Sequence, residues 1–557
     1  MSEIADYSIS NYPLVNTKVF NDLSPNITMK VIFIRPSNPT GSGYLRSFGF
    51  IPVPLGLIQL AGDVRSTGDH QVRIIDMEAD MMTVPQVVNE TLRFNPDIVG
   101  ITLHATAAHN VSSQIAKGIK EMDPEVTIVA GGHHATFVPE EMLRSNFDVV
   151  VMGEGDETMM ELPGAIENKE LDKVKGIVYR TKDGSVKRTP PRPLIRDLDK
   201  LPMPAFDLVD REKYTFDVFG KNETVACIET SRGCPYACEF CSVTPTWGNT
   251  WRNKSNNRVI RELSDVKKLG YSWVFFTDDI FIVQPNIKDR MALFHEMIER
   301  GLVTNFITQM RVDITAKNPE VIRRASDAGL RIAFLGVESG DDETLKKIHK
   351  GTVTNLAEKA VKTLHENGVV VLIGLILGAP YDTFRKMMKT IQFAYKLSDL
   401  GADSVQFSIY TPLPGTRIFV KALKERKLFT LNWDYYDVLL PVMRTKVNPL
   451  LTQFLQYYGN YSFYVRKWIR SKFTRTRIPE RKLELLRKAE KYFAKRLGHY
   501  MKEIVISLPT GLIRTAKLIR EESLSPESKL EELISSSKVI VYSETDEKRN
   551  RYFSIDD

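Results

Sequence analysis

The stretch Ser231-Arg-Gly-Cys-Pro-Tyr-Ala-Cys-Glu-Phe-Cys-Ser242 places Cys234, Cys238 and Cys241 at the spacing C-x3-C-x2-C. It also contains a glycine and a proline, residue types that are typical of tight turns. Three thiolates held that closely can bind three irons of a [4Fe–4S] cluster, and the fourth iron then lacks a protein ligand. We therefore expect the chemistry of this protein to take place at that open iron.

Zinc is the main alternative metal, and plain buried thiols are another. Zinc sites usually combine a C-x2-C pair with a second Cys or His pair, which is not found nearby in this sequence. The chain has only four cysteines, and the fourth, Cys227, lies in an apolar run that predicts a core position. A long chain with its thiols in one place does not resemble a disulfide framework, so a reducing, intracellular setting is expected.

The cysteine motif resembles the signature of the radical S-adenosylmethionine (SAM) superfamily. Arg232 and Gly233 precede the first cysteine, and an aromatic residue, Phe240, stands before the last one. The resemblance implies that the amino and carboxylate groups of SAM chelate the open iron. It also implies that an electron from the cluster cleaves SAM to methionine and a 5′-deoxyadenosyl radical, which abstracts hydrogen from unactivated carbon.

Length and composition predict a globular protein of about three domains. The chain has 557 residues, of which 43% are hydrophobic and 26% charged, and its net charge of +7 is mildly basic. The first 29 residues show no export signal, and no run of about 18 uncharged apolar residues occurs. The expected location is the cytoplasm, with peripheral contact at the inner face of a membrane left open.

Residues 1–28 are interpreted as a loosely held arm, and residues 29–165 alternate strand and helix patterns. Such alternation is typical of a Rossmann-like, doubly wound parallel sheet in an α/β domain. Ligands bind beyond the carboxyl ends of these strands, where the sequence has Asp76, His104, Gly131-Gly132 and Gly153-Glu154. The predicted strands are Lys30–Pro36, Gln71–Asp76, Asp97–Leu103, Glu125–Ala130 and Asp148–Met152, and the helices are Pro54–Thr67, Val84–Phe94 and Asn110–Met122.

This first domain resembles the cobalamin-binding domain of the B12-dependent branch of the radical SAM superfamily. The resemblance is carried by Pro54-Leu-Gly-Leu57, by Gly-Gly-His-His-Ala-Thr at 131–136 and by Gly-Glu-Gly-Asp-Glu-Thr at 153–158. The D-x-H-x-x-G motif is absent, which implies cobalt without a histidine ligand, as is usual in this branch. The resemblance implies cobalamin as a cofactor, bound at Gly131, Gly132, Gly153 and Glu154.

A scaffold that has lost cobalamin remains the alternative for this domain, because a fold does not establish a function. His133 and His134 are interpreted as loop histidines that pack beside the tail of the ligand rather than as metal ligands. His104 and His109 show no ligand spacing and receive no role.

A hairpin and a proline-rich linker are predicted for residues 166–221, with a turn signal at Lys182-Asp-Gly184. Residues 222–430 alternate six further strand and helix patterns. This alternation predicts a parallel (β/α)6 partial barrel, the radical SAM domain, with functional residues at the carboxyl ends of its strands. The predicted strands are Thr224–Glu229, Ser272–Thr277, Asn305–Met310, Arg331–Val337, Val369–Leu377 and Asp403–Tyr410.

Polar residues and glycines stand at the predicted ends of these barrel strands. Taken singly, each would more often be a capping or turn residue, but their joint placement at one edge favours a common site. The resemblance implies a SAM-binding set that consists of Asp278 and Asp279 at the amino group, Glu338 and Ser339 at the ribose or carboxylate, Gly378 and Pro380 at the adenine, and Arg311.

Residues 431–522 are predicted to form a helical extension that is rich in aromatic and basic residues. A helical cap on the barrel with a solvated basic rim is the plainer interpretation. A helix on an anionic membrane surface, or a cover over an apolar substrate tunnel, is the alternative. Nucleic acid is not expected as a partner, because no recognition motif accompanies the charge. Residues 523–557 are interpreted as a flexible tail.

The sequence thus predicts an enzyme that functionalises an unactivated carbon, by C-methylation or by carbon–carbon bond or ring formation. The implied cofactors are a [4Fe–4S] cluster, SAM and cobalamin, and the expected electron donor is a ferredoxin or flavodoxin. The basic, aromatic extension resembles hopanoid methylases and archaeal tetraether-lipid ring synthases, which implies a membrane lipid as substrate. A non-lipid small molecule, and a non-catalytic sensor that binds SAM and B12, remain alternatives.

Overall fold

The computed structural model describes residues 28–37, 49–472 and 477–522. It contains two α/β units, each built on a largely parallel sheet, followed by a helical C-terminal region. The predicted fold class is therefore confirmed. The predicted arm, apart from Thr28, and the predicted tail at 523–557 lie outside the described residues.

The first unit is a seven-stranded sheet with the order β2-β1-β3-β4-β5-β6-β7. Strands β1 to β5 run parallel, whereas β6 and β7 form an antiparallel hairpin that extends the sheet beyond β5. The strands are β1 (Lys30–Arg35), β2 (Gln71–Asp76), β3 (Ile98–Thr102), β4 (Thr127–Gly131), β5 (Val149–Val151), β6 (Ile177–Arg180) and β7 (Val186–Arg188). The helices are α1 (Leu55–Arg65), α2 (Met77–Asp80), α3 (Val84–Phe94), α4 (His109–Met122), α5 (His133–Phe137), α6 (Pro139–Arg144) and α7 (Asp156–Glu167).

Strand β1 shows how this sheet is covered on both faces. Ile32 and Ile34 join the apolar cluster that includes α3 and α4, whereas Val31 and Phe33 join the cluster that includes α1 and α7. All four side chains are buried. A parallel strand that is covered on both faces needs apolar residues at successive positions, which this sequence supplies.

The second unit is a six-stranded parallel sheet with the order β15-β14-β13-β12-β11-β8, as a partial barrel requires. A small antiparallel hairpin of β9 and β10 lies beside it. The strands are β8 (Val225–Ile228), β9 (Ser231–Gly233), β10 (Trp251–Asn253), β11 (Trp273–Phe276), β12 (Asn305–Arg311), β13 (Leu330–Glu338), β14 (Val370–Leu377) and β15 (Ser404–Ile409). The helices are α8 (Val243–Trp247), α9 (Asn256–Lys268), α10 (Ile287–Glu299), α11 (Val312–Lys317), α12 (Pro319–Asp327), α13 (Asp342–Lys347), α14 (Thr354–Glu366), α15 (Phe384–Asp399) and α16 (Arg417–Lys424).

One apolar cluster joins the first sheet to the segment that follows the barrel. Phe137 of α5 lies in the same cluster as Phe419 of α16 and Trp433. Gly415 has a φ of +84°, and a Cβ at that position would lie 2.5 Å from the Phe137 ring. The two units therefore share part of their core, and the loops at the carboxyl ends of their strands come into contact.

The C-terminal region consists of α17 (Pro449–Ser471), α18 (Glu480–Lys495) and α19 (Leu497–Glu522). The Gln456 side chain on α17 donates a hydrogen bond to the Phe407 carbonyl of β15 at 2.9 Å. Arg466 pairs with Asp399 at 2.8 Å, and Lys482 of α18 pairs with Asp403 at 2.7 Å. These contacts show that the region caps the barrel. No described helix is both long and apolar enough to span a bilayer.

Candidate active site

The three motif cysteines lie in residues 233–242, which we call the cysteine loop. Gly233 begins the loop with a φ of +91°, and a Cβ there would lie 2.4 Å from the Thr250 carbonyl oxygen. Only glycine meets both of these demands. Cys234, Cys238 and Cys241 are partly exposed, whereas Cys227 is buried in β8. The fold thus separates three accessible thiols from one core thiol.

The surroundings of the thiols fit an iron–sulfur cluster. The Cys241 sulfur is desolvated although the residue is partly exposed, and desolvation raises its pKa to about 12 and also raises the pKa of Cys234. Metal coordination deprotonates such thiols, and three soft sulfur donors on one short loop match iron–sulfur chemistry. Within the described ranges, no group of three or more His, Cys, Asp or Glu side chains is arranged around a single metal ion.

Arg311, at the end of β12, packs on the cysteine loop. Its guanidinium lies 3.5 Å from the centroid of the Tyr236 ring, a close cation–π contact. The Nε atom donates to Asp313 at 2.9 Å, and Nη2 donates to the Lys350 carbonyl at 2.7 Å. Arg311 thus orients the loop through Tyr236, and its predicted contact with SAM stays a prediction.

Glu338, at the end of β13, adopts a strained backbone conformation. Its φ of +65° is rare for a residue other than glycine, and such strain is common at binding sites. Its carboxylate accepts a hydrogen bond from Lys350 Nζ at 2.6 Å. Desolvation lowers the pKa of Lys350, but the charges of Glu338 and Cys238 outweigh it, so the pKa is raised overall. Lys350 could not be predicted from the sequence, because it follows α13 and has no motif of its own.

The neighbouring aspartates Asp278 and Asp279 take different positions. Asp278 is buried and accepts hydrogen bonds from the Thr230 hydroxyl at 2.6 Å and from Ser231. It therefore fixes the chain that leads into the cysteine loop. Asp279 accepts the Gly233 N–H at 3.2 Å, and burial raises its pKa to about 6. The predicted contacts of Asp278 and Asp279 with the SAM amino group stay predictions.

Ser339 and Gly378 lie in tightly bonded turns at the same edge. The Ser339 hydroxyl accepts the Asp341 N–H at 3.1 Å. Gly378 has a φ of +81°, and its N–H donates to Asp382 Oδ2 at 3.1 Å. Pro380 falls within that second turn. The turns bring these residues to the carboxyl edge of the barrel, and their predicted contacts with SAM stay predictions.

Glu239, inside the cysteine loop, is bound by two tyrosines of the barrel. The hydroxyls of Tyr381 and Tyr410 both donate to Glu239 Oε2, the latter at 3.1 Å. Tyr381 follows β14 and Tyr410 follows β15, so this carboxylate ties the loop to the last two barrel strands. No sequence signal indicated this contact, because the three residues belong to three separate loops.

At the carboxyl edge of the first sheet, the predicted glycines leave the backbone accessible to a ligand. A Cβ at Gly131 would meet no atom within 4 Å, and Gly132 has a φ of +97°. Gly153 has a φ of +74°, and its N–H donates to the Thr136 hydroxyl at 3.1 Å. A large flat ligand can approach such a backbone closely, so these residues fit cobalamin.

Glu154 lies at the contact between the two units. Its Oε1 accepts hydrogen bonds from Arg232 Nη1 at 2.8 Å and from Arg252 Nη1 at 2.9 Å, and its Oε2 accepts the Ile195 N–H at 2.8 Å. Arg232 also donates to both oxygens of Asp156, at 2.8 and 3.0 Å. This cluster of buried charged side chains joins the first sheet to Arg232, which directly precedes the cysteine loop. A contact of Glu154 with cobalamin stays a prediction, although protein groups already engage both of its oxygens.

A cavity of about 190 Å³ lies between the units, and Ser242, next to Cys241, forms part of its wall. His133 Nδ1 lies 2.9 Å from the Thr246 hydroxyl of α8, and His134 Nε2 lies 2.9 Å from His109 Nδ1. The structure thus gives His109 a buried partner that no spacing in the sequence indicated. The other lining residues are His104, Ala105, Thr106, His133, His134, Phe137, Leu413, Pro414, Tyr436, Asp437 and Val438.

We expect the contact between the units to weaken in acid. Burial lowers the pKa of His109 from 6.5 to about 4, and burial beside His109 lowers that of His134 well below 6.5. Both histidines have a lower pKa in the folded protein than in the unfolded chain. The stability that they contribute to the folded state is therefore fully present above about pH 6.5 and is lost as the pH falls toward 4. Each histidine contributes up to about 1.4 kcal/mol per pH unit in that window.

Thermal melting of the wild type and of the His109→Gln and His134→Gln variants across this window measures the effect. Both variants should show a shallower pH dependence than the wild type. The exposed His295 provides the control, because His295→Gln should leave the slope unchanged. Equal slopes in all four proteins would contradict the assignment.

Two family models match the chain. The B12 binding domain matches residues 41–163, and the Radical SAM superfamily matches residues 228–394. The first match includes strands β2 to β5, and the second includes the cysteine loop and strands β11 to β14. The predicted cofactors are therefore confirmed: the radical SAM domain implies SAM and a [4Fe–4S] cluster, and the first domain implies cobalamin.

Similar proteins are known by sequence and by structure. An uncharacterized methyltransferase of Pyrococcus horikoshii is 36% identical over 422 residues, which are 75% of this chain and 88% of the relative. The hopanoid C-3 methylase of Methylococcus capsulatus is 29% identical over 400 residues, 71% of this chain and 73% of the relative. The cobalamin-dependent SAM radical enzyme OxsB, with aqua-cobalamin and SAM bound, has a TM-score of 0.63 at 17% identity, covering 95% of this chain and 87% of OxsB.

The similarity to OxsB shows a shared fold. The sequence relatives and the family models show the family to which the chain belongs. The glycine edge of the first sheet lies within the B12 binding match, and the cysteine loop lies within the Radical SAM match. The protein is therefore an enzyme of the radical SAM class, and the chain belongs to the B12-binding radical SAM family.

Proposed function

We propose that the protein forms a carbon–carbon bond at an unactivated carbon of a membrane lipid, with methyl transfer as the favoured reaction. The cavity between the two units carries this proposal. It is lined on one side by the edge of the first sheet and on the other by Ser242, the last residue of the cysteine loop. A substrate carbon in or next to this cavity would lie between the two cofactor edges.

When bound, the cluster and SAM supply a carbon radical and cobalamin supplies the methyl group, which is chemistry of the cofactors. The protein residues hold and shield these groups. Arg311 and Tyr236 orient the cysteine loop, and Arg232 keeps that loop against the first sheet. Phe137, Leu413 and Val438 give the cavity part of its wall as apolar surface.

The choice of a lipid and of methyl transfer draws support from the relatives. One is named a methyltransferase and another a hopanoid C-3 methylase. An apolar cavity wall suits a hydrocarbon substrate, since binding then removes apolar surface from water. We place this reaction in the cytoplasm, with a ferredoxin or flavodoxin as the electron donor, and the enzyme in peripheral contact with the membrane.

Incubation of the reconstituted, reduced protein with SAM should release 5′-deoxyadenosine. Lipid extracts of cells with and without the protein then identify the product by mass spectrometry. Methyl transfer adds one CH2 to a lipid, whereas ring closure removes two hydrogens. If no 5′-deoxyadenosine forms under full reduction, the protein is a binder rather than an enzyme. If SAM is cleaved but all lipids are unchanged, the substrate is another molecule.

A further inference from the structure

Helix α17 carries a row of exposed apolar side chains on one face. Successive members lie three, four or seven residues apart, except for the adjacent last pair, and Ile469 lies four residues after Val465, so all of them fall on the same side of the helix. Their exposed fractions range from 37% at Leu451 to 65% at Trp468. The opposite side of α17 is packed on the barrel, where Leu455 and Phe463 are buried. The exposed row consists of Leu451, Phe454, Tyr458, Val465, Trp468 and Ile469.

Helix α19 also carries exposed apolar side chains. Ile506 and Ile513, seven residues apart, are 52% and 67% exposed. The helix packs along α17, because the Tyr461 and Ser507 hydroxyls lie 3.0 Å apart and Thr515 donates to Gln453 at 3.3 Å. The two apolar rows therefore lie on neighbouring helices. Together, the row on α17, Ile506 and Ile513 form what we call the C-terminal face.

The C-terminal region carries a surplus of positive charge. Residues 449–522 contain 17 lysine and arginine residues and 6 acidic residues, a surplus of +11 that exceeds the +7 of the whole chain. Helix α17 has no acidic residue. Some of these cations pair with the barrel, for example Arg470 with Asp399 at 3.0 Å. Others stay at the surface, such as Lys472, whose ammonium lies 5.5 Å from the centroid of the exposed Trp468 ring.

We propose that the C-terminal face docks the enzyme on an anionic lipid bilayer, with α17 and α19 lying in the plane of the headgroups. Aromatic and aliphatic side chains beside lysine and arginine are the combination that interfacial helices use. Docking would give the enzyme access to the proposed lipid substrate, and in this respect the inference rests on the proposed function. Binding to vesicles can be measured without turnover. A second copy fits this face less well, because a symmetric contact would bring like charges together.

Vesicle flotation of the full chain tests the proposal. The protein should float with phosphatidylcholine vesicles that contain phosphatidylglycerol, and roughly tenfold less with phosphatidylcholine alone, since each basic residue near the surface adds attraction. Added salt should weaken binding, because it screens charge. Replacing Val465, Trp468 and Ile469 together with serine should reduce flotation by about tenfold or more, because three buried apolar groups are lost.

A matched control replaces Met81, Met122 and Phe384 with serine, since these side chains are 69%, 71% and 51% exposed on other surfaces. This control should float like the wild type. Equal flotation of both triple variants, or no flotation of the wild type and of a chain that ends at Glu522, would overturn the proposal. The shortened chain is included because residues 523–557 contain 8 acidic and 5 basic residues and could compete for a basic face.

SAM cleavage measured on the same preparations separates docking from the proposed function. A wild type that cleaves SAM but does not float, with or without residues 523–557, overturns docking alone. A wild type that floats but does not cleave SAM overturns the proposed function alone. Normal SAM cleavage in the Val465, Trp468 and Ile469 variant also shows that it is folded, so its loss of flotation reports the surface itself.

Discussion

Replacing any one of Cys234, Cys238 and Cys241 with alanine should abolish both iron binding and SAM cleavage. In the proposed cluster each thiolate would bind a different iron, so the loss of one would leave two of the four irons without a protein ligand. The three thiols sit on one loop, and neither of the two remaining thiols nor the buried Cys227 can replace the missing one. Iron content, visible absorbance and 5′-deoxyadenosine release after anaerobic reconstitution measure this outcome.

Cys227→Ala is the matched control. Cys227 lies in β8 opposite Phe275, and its side chain is buried. Its loss should leave a small cavity that lowers the free energy of unfolding by about 1–2 kcal/mol. Iron content and SAM cleavage should stay at the wild-type level. If this variant also loses its iron, or if the reconstituted wild type holds zinc, the set of ligands proposed for the cluster is wrong.

Most central strands of both sheets could be predicted from the sequence because they are apolar over successive residues. Val225–Ile228 and Val370–Leu377 are examples, and all predicted strands agree with the structure within two residues at either end. A parallel strand covered on both faces needs this composition, so the pattern is strong and local. The cysteine loop could also be predicted from the sequence, because the spacing of its thiols is a local property.

The contacts around the cysteine loop could not be predicted in the same way. Arg232 and Glu154 are 78 residues apart, and Glu239 and Tyr410 are 171 residues apart. Their proximity depends on how the two units dock and on how the barrel closes. Glu154 shows the consequence: its motif indicated a cofactor contact, whereas the structure places its carboxylate on two arginines.

Replacing Arg232 with methionine should strongly destabilise the protein. The guanidinium contacts Glu154 at 2.8 Å, Asp156 at 2.8 Å and Glu229 at 2.7 Å, and the first two carboxylates are buried. Desolvation raises the pKa of Asp156, but Arg232 outweighs it and the pKa is lowered overall. Without Arg232, these charges lose that compensation, which costs about 3–5 kcal/mol. The midpoint of urea unfolding and the iron content after reconstitution should both fall.

Arg65→Met is the matched control for this prediction. Arg65 also binds a carboxylate through both oxygens, those of Asp207, but its side chain is 41% exposed. An exposed pair of this kind contributes about 0–1 kcal/mol, so this variant should unfold close to the wild type. Adding Glu154→Gln and Asp156→Asn to Arg232→Met should recover part of the lost stability, because the unpaired charges are then removed. A variant Arg232→Met as stable as Arg65→Met would show that the first sheet is held against the cysteine loop by apolar packing at Phe137 and Trp433 instead of by this ion cluster.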